Sequence, residues 1–125
     1  MGSWKEFEFG VRLRGNGDPP LIQSRYLFNS YYRKIYTNNS DINIKTGLNE
    51  LLKPENIIGS IFIIEVDVYR QSCRFLQNNK ELQNGDLPIQ VGINEILKME
   101  FCVSLYQVGD SVNINSGPTN EILII

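Results

Sequence analysis

Two acidic residues in the middle of the chain, Glu65 and Asp67, have the type and spacing that a divalent-cation site uses. They lie two positions apart in the stretch SIFIIEVDVYR, residues 60–70. An extended strand puts such residues on one face, about 7 Å apart, and two carboxylates at that spacing can share a hydrated Mg²⁺ or Mn²⁺. The pair predicts, as one alternative, a metal-assisted, carboxylate-dependent hydrolase. The period-two alternation of a strand explains the same pair without a metal.

Other catalytic chemistry finds little support in the sequence. The chain has no histidine, which excludes Ser-His and Cys-His nucleophile pairs and histidine-ligated zinc. A glycine-containing turn, Gly15-Asn16-Gly17, precedes Pro19 and Pro20, and prolines have no N–H group with which to bind a phosphate. We therefore expect no catalytic residue, no cofactor and no enzyme. A small-ligand or nucleotide sensor, with its pocket between helix and sheet, remains a further alternative.

Two groups of residues are instead typical of a surface that binds protein. Tyrosine and arginine dominate the energetics of protein interfaces, and both are frequent between residues 25 and 36. The opening stretch EFEFGVRLR carries acids and then bases at its even positions, so a second copy laid antiparallel along an edge strand would bring acid opposite base. The predicted interface residues are Tyr31, Arg33, Lys34, Arg12, Arg14, Glu6 and Glu8.

The elements that must position these residues follow from the apolar spacing. The odd positions of the opening stretch predict a strand with one buried face. A helix is predicted over about residues 19–36, because Asp18 can cap it, prolines suit its first turn, and Leu21, Phe28 and Ile35 recur every seven residues with Tyr32 beside them. The buried face of the opening strand is predicted to be Phe7, Phe9, Val11 and Leu13.

Most of the remaining chain alternates like strands. Strands are predicted over 41–45, 60–70, 87–93, 97–106, 112–114 and the final EILII, with a brief helix before Lys53-Pro54, while residues 73–83 fit a strand or a helix. The sequence predicts an α+β fold, in which a mainly antiparallel sheet of five to seven strands carries the long helix on one face. The alternative is a β-sandwich with that helix as a crossover.

The length and composition of the chain limit the number of domains and the classes of partner. The 125 residues fit a single domain, in which Met1-Gly2-Ser3 is also compatible with a cloning remnant. The net charge of −2 and the absence of a basic stretch argue against nucleic acid, and apolar runs of at most four residues exclude a membrane span. No secretory signal is visible, so a cytoplasmic location is expected. Cys73 and Cys102 lie in apolar stretches without metal-type spacing, which favours free, buried thiols over a disulfide or a reactive thiol. We predict a non-enzymatic interaction module, with a regulatory, inhibitory or assembly role, that binds another protein or itself.

Overall fold

The chain folds into two antiparallel sheets. The structure is a computed structural model that describes residues 6–15, 22–38, 40–45, 54–67, 69–89, 98–106, 112–116 and 120–124. In chain order the strands are β1 (Phe7–Arg14), β2 (Ile22–Asn29), β3 (Lys34–Tyr36), β4 (Asp41–Asn43), β5 (Ile61–Asp67), β6 (Ser72–Gln77), β7 (Lys80–Glu81), β8 (Leu87–Pro88), β9 (Lys98–Leu105), β10 (Val112–Ser116) and β11 (Asn120–Ile124). Sheet A has the order β4-β3-β2-β1-β9, and sheet B has the order β10-β11-β5-β6-β7 with β8 also beside β6.

A cluster of phenylalanine rings joins the two sheets. Phe7, Phe9 and Phe28 project from sheet A towards Phe62 and Phe75 of sheet B. The ring centroids of Phe7 and Phe62 are 4.8 Å apart, those of Phe9 and Phe75 are 5.4 Å apart, and both pairs meet edge to face. This is a favourable arrangement for aromatic rings, and all five side chains are buried. The core therefore lies between the inner faces of the sheets.

The structure confirms the predicted alternation of buried and exposed side chains in β1. Its four predicted core residues are buried, and Glu8, Arg12 and Arg14 lie on the opposite side of the strand. It is a central strand, however, because β2 pairs with it on one side and β9 on the other. The hypothesis that two copies of this stretch pair edge to edge is therefore wrong, since both of its backbone edges are already hydrogen-bonded.

The predicted long helix over residues 19–36 is also wrong. From residue 22 onwards this segment forms β2, a turn at 30–33 and β3, while residues 19–21 lie outside the described ranges. The hairpin places Phe28 directly opposite Ile35, so the seven-residue spacing that resembled a helical stripe is a cross-strand pair. Tyr32, predicted to lie beside that stripe, is at the hairpin tip with 59 % of its surface exposed. The α+β fold and the sandwich with a crossover helix both required this helix, and neither is the observed architecture.

The shorter predicted elements differ in how they correspond to the structure. The predicted brief helix before Lys53 lies outside the described residues, and a single helical turn, α1 (Pro54–Ile57), follows it. The ambiguous segment 73–83 contains most of strand β6, a turn and strand β7, and the alternation around Phe101 is strand β9. No helix in the described ranges is long and apolar enough to cross a membrane.

Candidate functional site

The side of sheet A that faces away from sheet B, here called the outer face, carries most of the predicted interface residues. Since Phe9 and Val11 of β1 are buried, Glu8, Gly10 and Arg12 lie on this opposite side. The neighbouring strands supply the residues directly across from each of them. From one end to the other, the cross-strand rows are Asn29–Glu8–Ser104, Leu27–Gly10–Cys102 and Arg25–Arg12–Glu100.

The basic end of the outer face consists of Arg12, Arg14 and Arg25. Arg12 lies directly opposite Arg25, and like charges at such positions destabilise a sheet. Glu100, on the other side of Arg12, accepts a hydrogen bond from Nε of Arg14. Within the described ranges neither Arg12 nor Arg25 forms an ion pair. The sheet thus keeps two adjacent guanidinium groups whose charges its described residues do not balance.

The acidic end of the outer face consists of Glu6 and Glu8, and Asn29 organises it. The side-chain amide of Asn29 donates to both carboxylates at 3.3 Å. Its carbonyl oxygen accepts the backbone N–H groups of Tyr31 and Tyr32 at 2.9 Å. Only 3 % of Asn29 is exposed, so its orientation is fixed by packing as well as by these bonds. One side chain therefore joins the two acids to the tip of the β2–β3 hairpin.

Two tyrosines flank these acids. Burial raises the pKa of Tyr36, and the negative charges of Asp41 and, more weakly, Glu8 and Glu6 raise it further. Burial also raises the pKa of Tyr106, again with contributions from Glu8 and Glu6. Both phenols consequently remain protonated at neutral pH, and each can donate a hydrogen bond beside a cluster of negative charge.

The hairpin tip adds exposed aromatic surface next to the acidic end. Tyr31 and Tyr32 are 51 % and 59 % exposed, and their rings meet edge to face with centroids 5.0 Å apart. Arg33 has a positive φ of 56° that closes the turn, and its side chain is half-buried. Lys34 follows in β3, directly opposite Asn29. Three predicted interface residues, Tyr31, Arg33 and Lys34, thus lie on a hairpin rather than on a helix.

Gly10 separates the two ends. A Cβ atom added there would lie 1.9 Å from the backbone oxygen of Tyr26, so no other residue fits without moving β2. Gly10 itself is buried, and Leu27 beside it is only 5 % exposed, so the accessible charges of the outer face lie on either side of this middle row, at Glu8 and at Arg12. The face therefore has a half in which Arg12, Arg14 and Arg25 outnumber Glu100, and a half in which Glu6 and Glu8 outnumber Lys34.

Glu65 and Asp67 lie in the β5–β6 hairpin of sheet B and have local partners. Glu65 accepts a hydrogen bond from Nε of Arg74, the residue directly opposite, at 2.6 Å. Asp67 accepts the backbone N–H groups of Tyr69 and Arg70 at 3.0 Å, which stabilises the turn between the strands. Among the described residues no group of three His, Cys, Asp or Glu side chains converges as a metal site would require.

The two cysteines are free and have different surroundings. Cys73 is buried on the inner side of sheet B, and burial, with a smaller effect of Asp86, raises its pKa to about 12. Cys102 lies beside Gly10 on the outer face, and partial burial raises its pKa as well. Because the thiolate is the reactive form, neither residue is an activated nucleophile.

The sequence named seven interface residues but missed those that organise them. Arg25 and Asn29 were overlooked because their strand was interpreted as a helix, although Arg25 and Leu27 share the period-two pattern of β2. Tyr36, Tyr106 and Glu100 carry no local signal, since only the pairing of β1 with its neighbours brings them near Glu8 and Arg12. In comparisons with known proteins, no family model, no curated protein and no solved structure matches the chain.

Proposed function

We propose that this protein is a non-enzymatic interaction module that binds a protein through the outer face of sheet A. The observation that carries the proposal is the opposed pair Arg12 and Arg25. Two like charges directly across a sheet reduce the stability of the fold, so a sequence optimised for folding alone would avoid them. A partner that supplies carboxylates to these guanidinium groups gains charge-assisted hydrogen bonds and removes the repulsion.

The composition of the face favours a protein over a polyanion as partner. A nucleic-acid surface has one dominant sign of charge, whereas this face carries arginines at one end and Glu6 and Glu8 at the other. Exposed Tyr31 and Tyr32 add the residue type that contributes most to protein interfaces. We further propose a cytoplasmic location, which the free thiols of Cys73 and Cys102 support, because reducing compartments keep thiols unpaired.

The proposal is tested by capture of partners from an extract of the cells that make the protein. The test variant carries Arg12→Glu with Arg25→Glu. The control carries Arg70→Glu with Lys80→Glu, which makes the same change in net charge on exposed residues of sheet B. We expect the native chain and the control to retain the same partner, and the test variant to lose at least about 90 % of it, since like charges across an interface cost more than one kcal/mol.

Equal capture by all three proteins would contradict the proposal, because the outer face would then contribute nothing to binding. So would the loss of the partner from the control alone, since that would place the interface on sheet B. Thermal melting of each variant shows that the comparison is made between folded proteins.

A further inference from the structure

We infer that the outer face of sheet A binds a second copy of this chain, face to face about a two-fold axis. The inference rests on the proposed function and names its partner. Its basis is charge complementarity within one face, which has a basic end at Arg12, Arg14 and Arg25 and an acidic end at Glu6 and Glu8. A surface with both signs of charge, separated along one strand, can be complementary to itself.

The pattern of charge selects one orientation. One possible two-fold axis lies between the two faces, perpendicular to β1 and beside Gly10. This axis reverses the strand direction of the second copy. Glu8 and Arg12 are each two residues from Gly10, so Glu8 of one copy then lies over Arg12 of the other. Glu6 and Arg14, each four residues from Gly10, are matched in the same way.

The alternative axis fails on the same charges. If the two-fold axis ran parallel to β1, every position along the strand would lie over its own row in the second copy. Arg12 and Glu8 of one copy would then meet Arg12 and Glu8 of the other, while Arg25 would meet Glu100. The charges of the central strand would then meet only like charges, whereas the perpendicular axis pairs each of them with an opposite charge, so the perpendicular axis is favoured.

The neighbouring strands agree with the perpendicular axis. The row Arg25–Arg12–Glu100 lies over the row Asn29–Glu8–Ser104 of the second copy, so Arg12 meets a carboxylate, Glu100 meets a hydroxyl, and Arg25 lies over the uncharged Asn29. Asp41, in the same row as Gly10, meets its own equivalent at the exposed rim of the sheet, where solvent screening keeps the repulsion small.

The size of the face sets the expected strength. Strands β1, β2 and β9 have eight residues each and β3 and β4 have three, so the face fits within about 27 Å by about 20 Å and a dimer buries at most on the order of 1,000 Å² in total. This is the lower end of specific interfaces, which predicts a weak dimer with a Kd of about 1 to 100 µM.

The first test is sedimentation equilibrium of the native chain at increasing concentration. We expect reversible dimerisation at low salt that weakens at least about tenfold in 0.5 M NaCl, because the contacts are between charged groups. A monomer mass at low salt, up to about 500 µM, would overturn the inference, because a dimer of the expected affinity would be mostly formed there.

A charge exchange tests the orientation. One variant carries Arg12→Glu with Arg14→Glu, which makes both ends of β1 acidic, and the other carries Glu6→Arg with Glu8→Arg, which makes both ends basic. We expect each variant to be monomeric alone and the 1:1 mixture to form a heterodimer, since acidic ends then face basic ends on both sides of the axis. Two folded variants that remain monomeric when mixed, or that each still dimerise alone, would overturn this orientation.

A crosslinking experiment keeps the test independent of whether these variants fold. Cys102 lies in the row of Gly10, so the axis brings the two copies of this residue opposite each other across sheets about 10 Å apart. A short bis-maleimide is expected to crosslink the native chain to a dimer through Cys102, and Cys102→Ser to prevent it. A native chain that reacts at Cys102 and yields only monomer would contradict the inference.

Failure of this inference and failure of the proposed function give different results. If the native chain is monomeric but Arg12→Glu with Arg25→Glu abolishes capture of another protein, the outer face is an interface and the second copy is not its partner. If the native chain is monomeric and capture is unaffected by the same substitutions, both proposals are wrong.

Discussion

The outer surfaces of the two sheets differ in which charged residues lie directly opposite each other. On sheet B, Glu65 lies directly opposite Arg74, and the two side chains are hydrogen-bonded at 2.6 Å. On sheet A, the corresponding direct neighbours are Arg12 and Arg25, which repel each other. Sheet B therefore balances this charge within the fold, whereas sheet A leaves a positive excess at one end of its surface. The difference indicates which of the two surfaces is suited to an external partner.

The largest predicted effect concerns Gly10, the residue that separates the two ends of the outer face. Gly10→Ala places a methyl group within 1.9 Å of the Tyr26 backbone oxygen, so β1 and β2 must separate, and we expect a loss of about 3 kcal/mol or more in the free energy of unfolding. Gly59→Ala is the control, because it has a φ of 85° but no neighbour within 4 Å, and a loss of about 1 kcal/mol is expected. Urea denaturation measures both; equal losses would show that the close approach at Gly10 is unimportant.

The next effect tests whether Asn29 holds the acidic end together. Asn29→Ala removes the hydrogen bonds to Glu6, Glu8 and the two tyrosine N–H groups, and we expect a loss of about 2 kcal/mol. The matched change on sheet B is Asp67→Ala, which removes two backbone contacts from a more exposed turn and should cost about 1 kcal/mol. If Asn29→Ala is the milder of the two, the acidic end does not depend on this side chain.

The sequence predicted the strands better than their arrangement. Alternation in β1, β5 and β9 is a local property and follows from one buried face, so the inward positions of Phe9 and Phe62 could be recognised. The β2–β3 hairpin could not, because Phe28 and Ile35 fit a helical stripe and a cross-strand pair equally well. The turn between them contains no Asn-Gly or Asp-Gly pair, and this removed the usual hairpin signal.

The candidate site was only partly visible for a related reason. Glu6, Glu8, Arg12 and Arg14 share one strand, so their common face could be predicted from alternation alone. The proposed function is based on the repulsion between Arg12 and Arg25. The position of Arg25 opposite Arg12 depends on the register between β1 and β2. Register is a tertiary property, set by the way apolar residues of distant segments pack together.

Alkaline pH distinguishes the inner cysteine from the outer one. The pKa of Cys73 rises from 9.0 to about 12 on folding, so the native state retains the proton more strongly, and stability is lost as pH rises from about 9 towards 12. At pH 10 we expect a loss of about 1 kcal/mol that is absent in Cys73→Val, measured by urea denaturation. Cys102 should react with a thiol reagent in the folded state while Cys73 does not, and rapid modification of both would contradict the burial of Cys73.

The comparison of the two surfaces is tested most directly by the free energies of unfolding of Arg25→Glu and Arg74→Glu. Arg25→Glu replaces a like-charge pair with an opposite-charge pair beside Arg12, so we expect it to stabilise the fold by about 0.5 kcal/mol while weakening self-association. Arg74→Glu places two acids opposite each other at Glu65 and should destabilise the fold by about 1 kcal/mol without affecting association. Destabilisation by Arg25→Glu, or unchanged association, would contradict the proposal that the unbalanced charges of sheet A bind a partner.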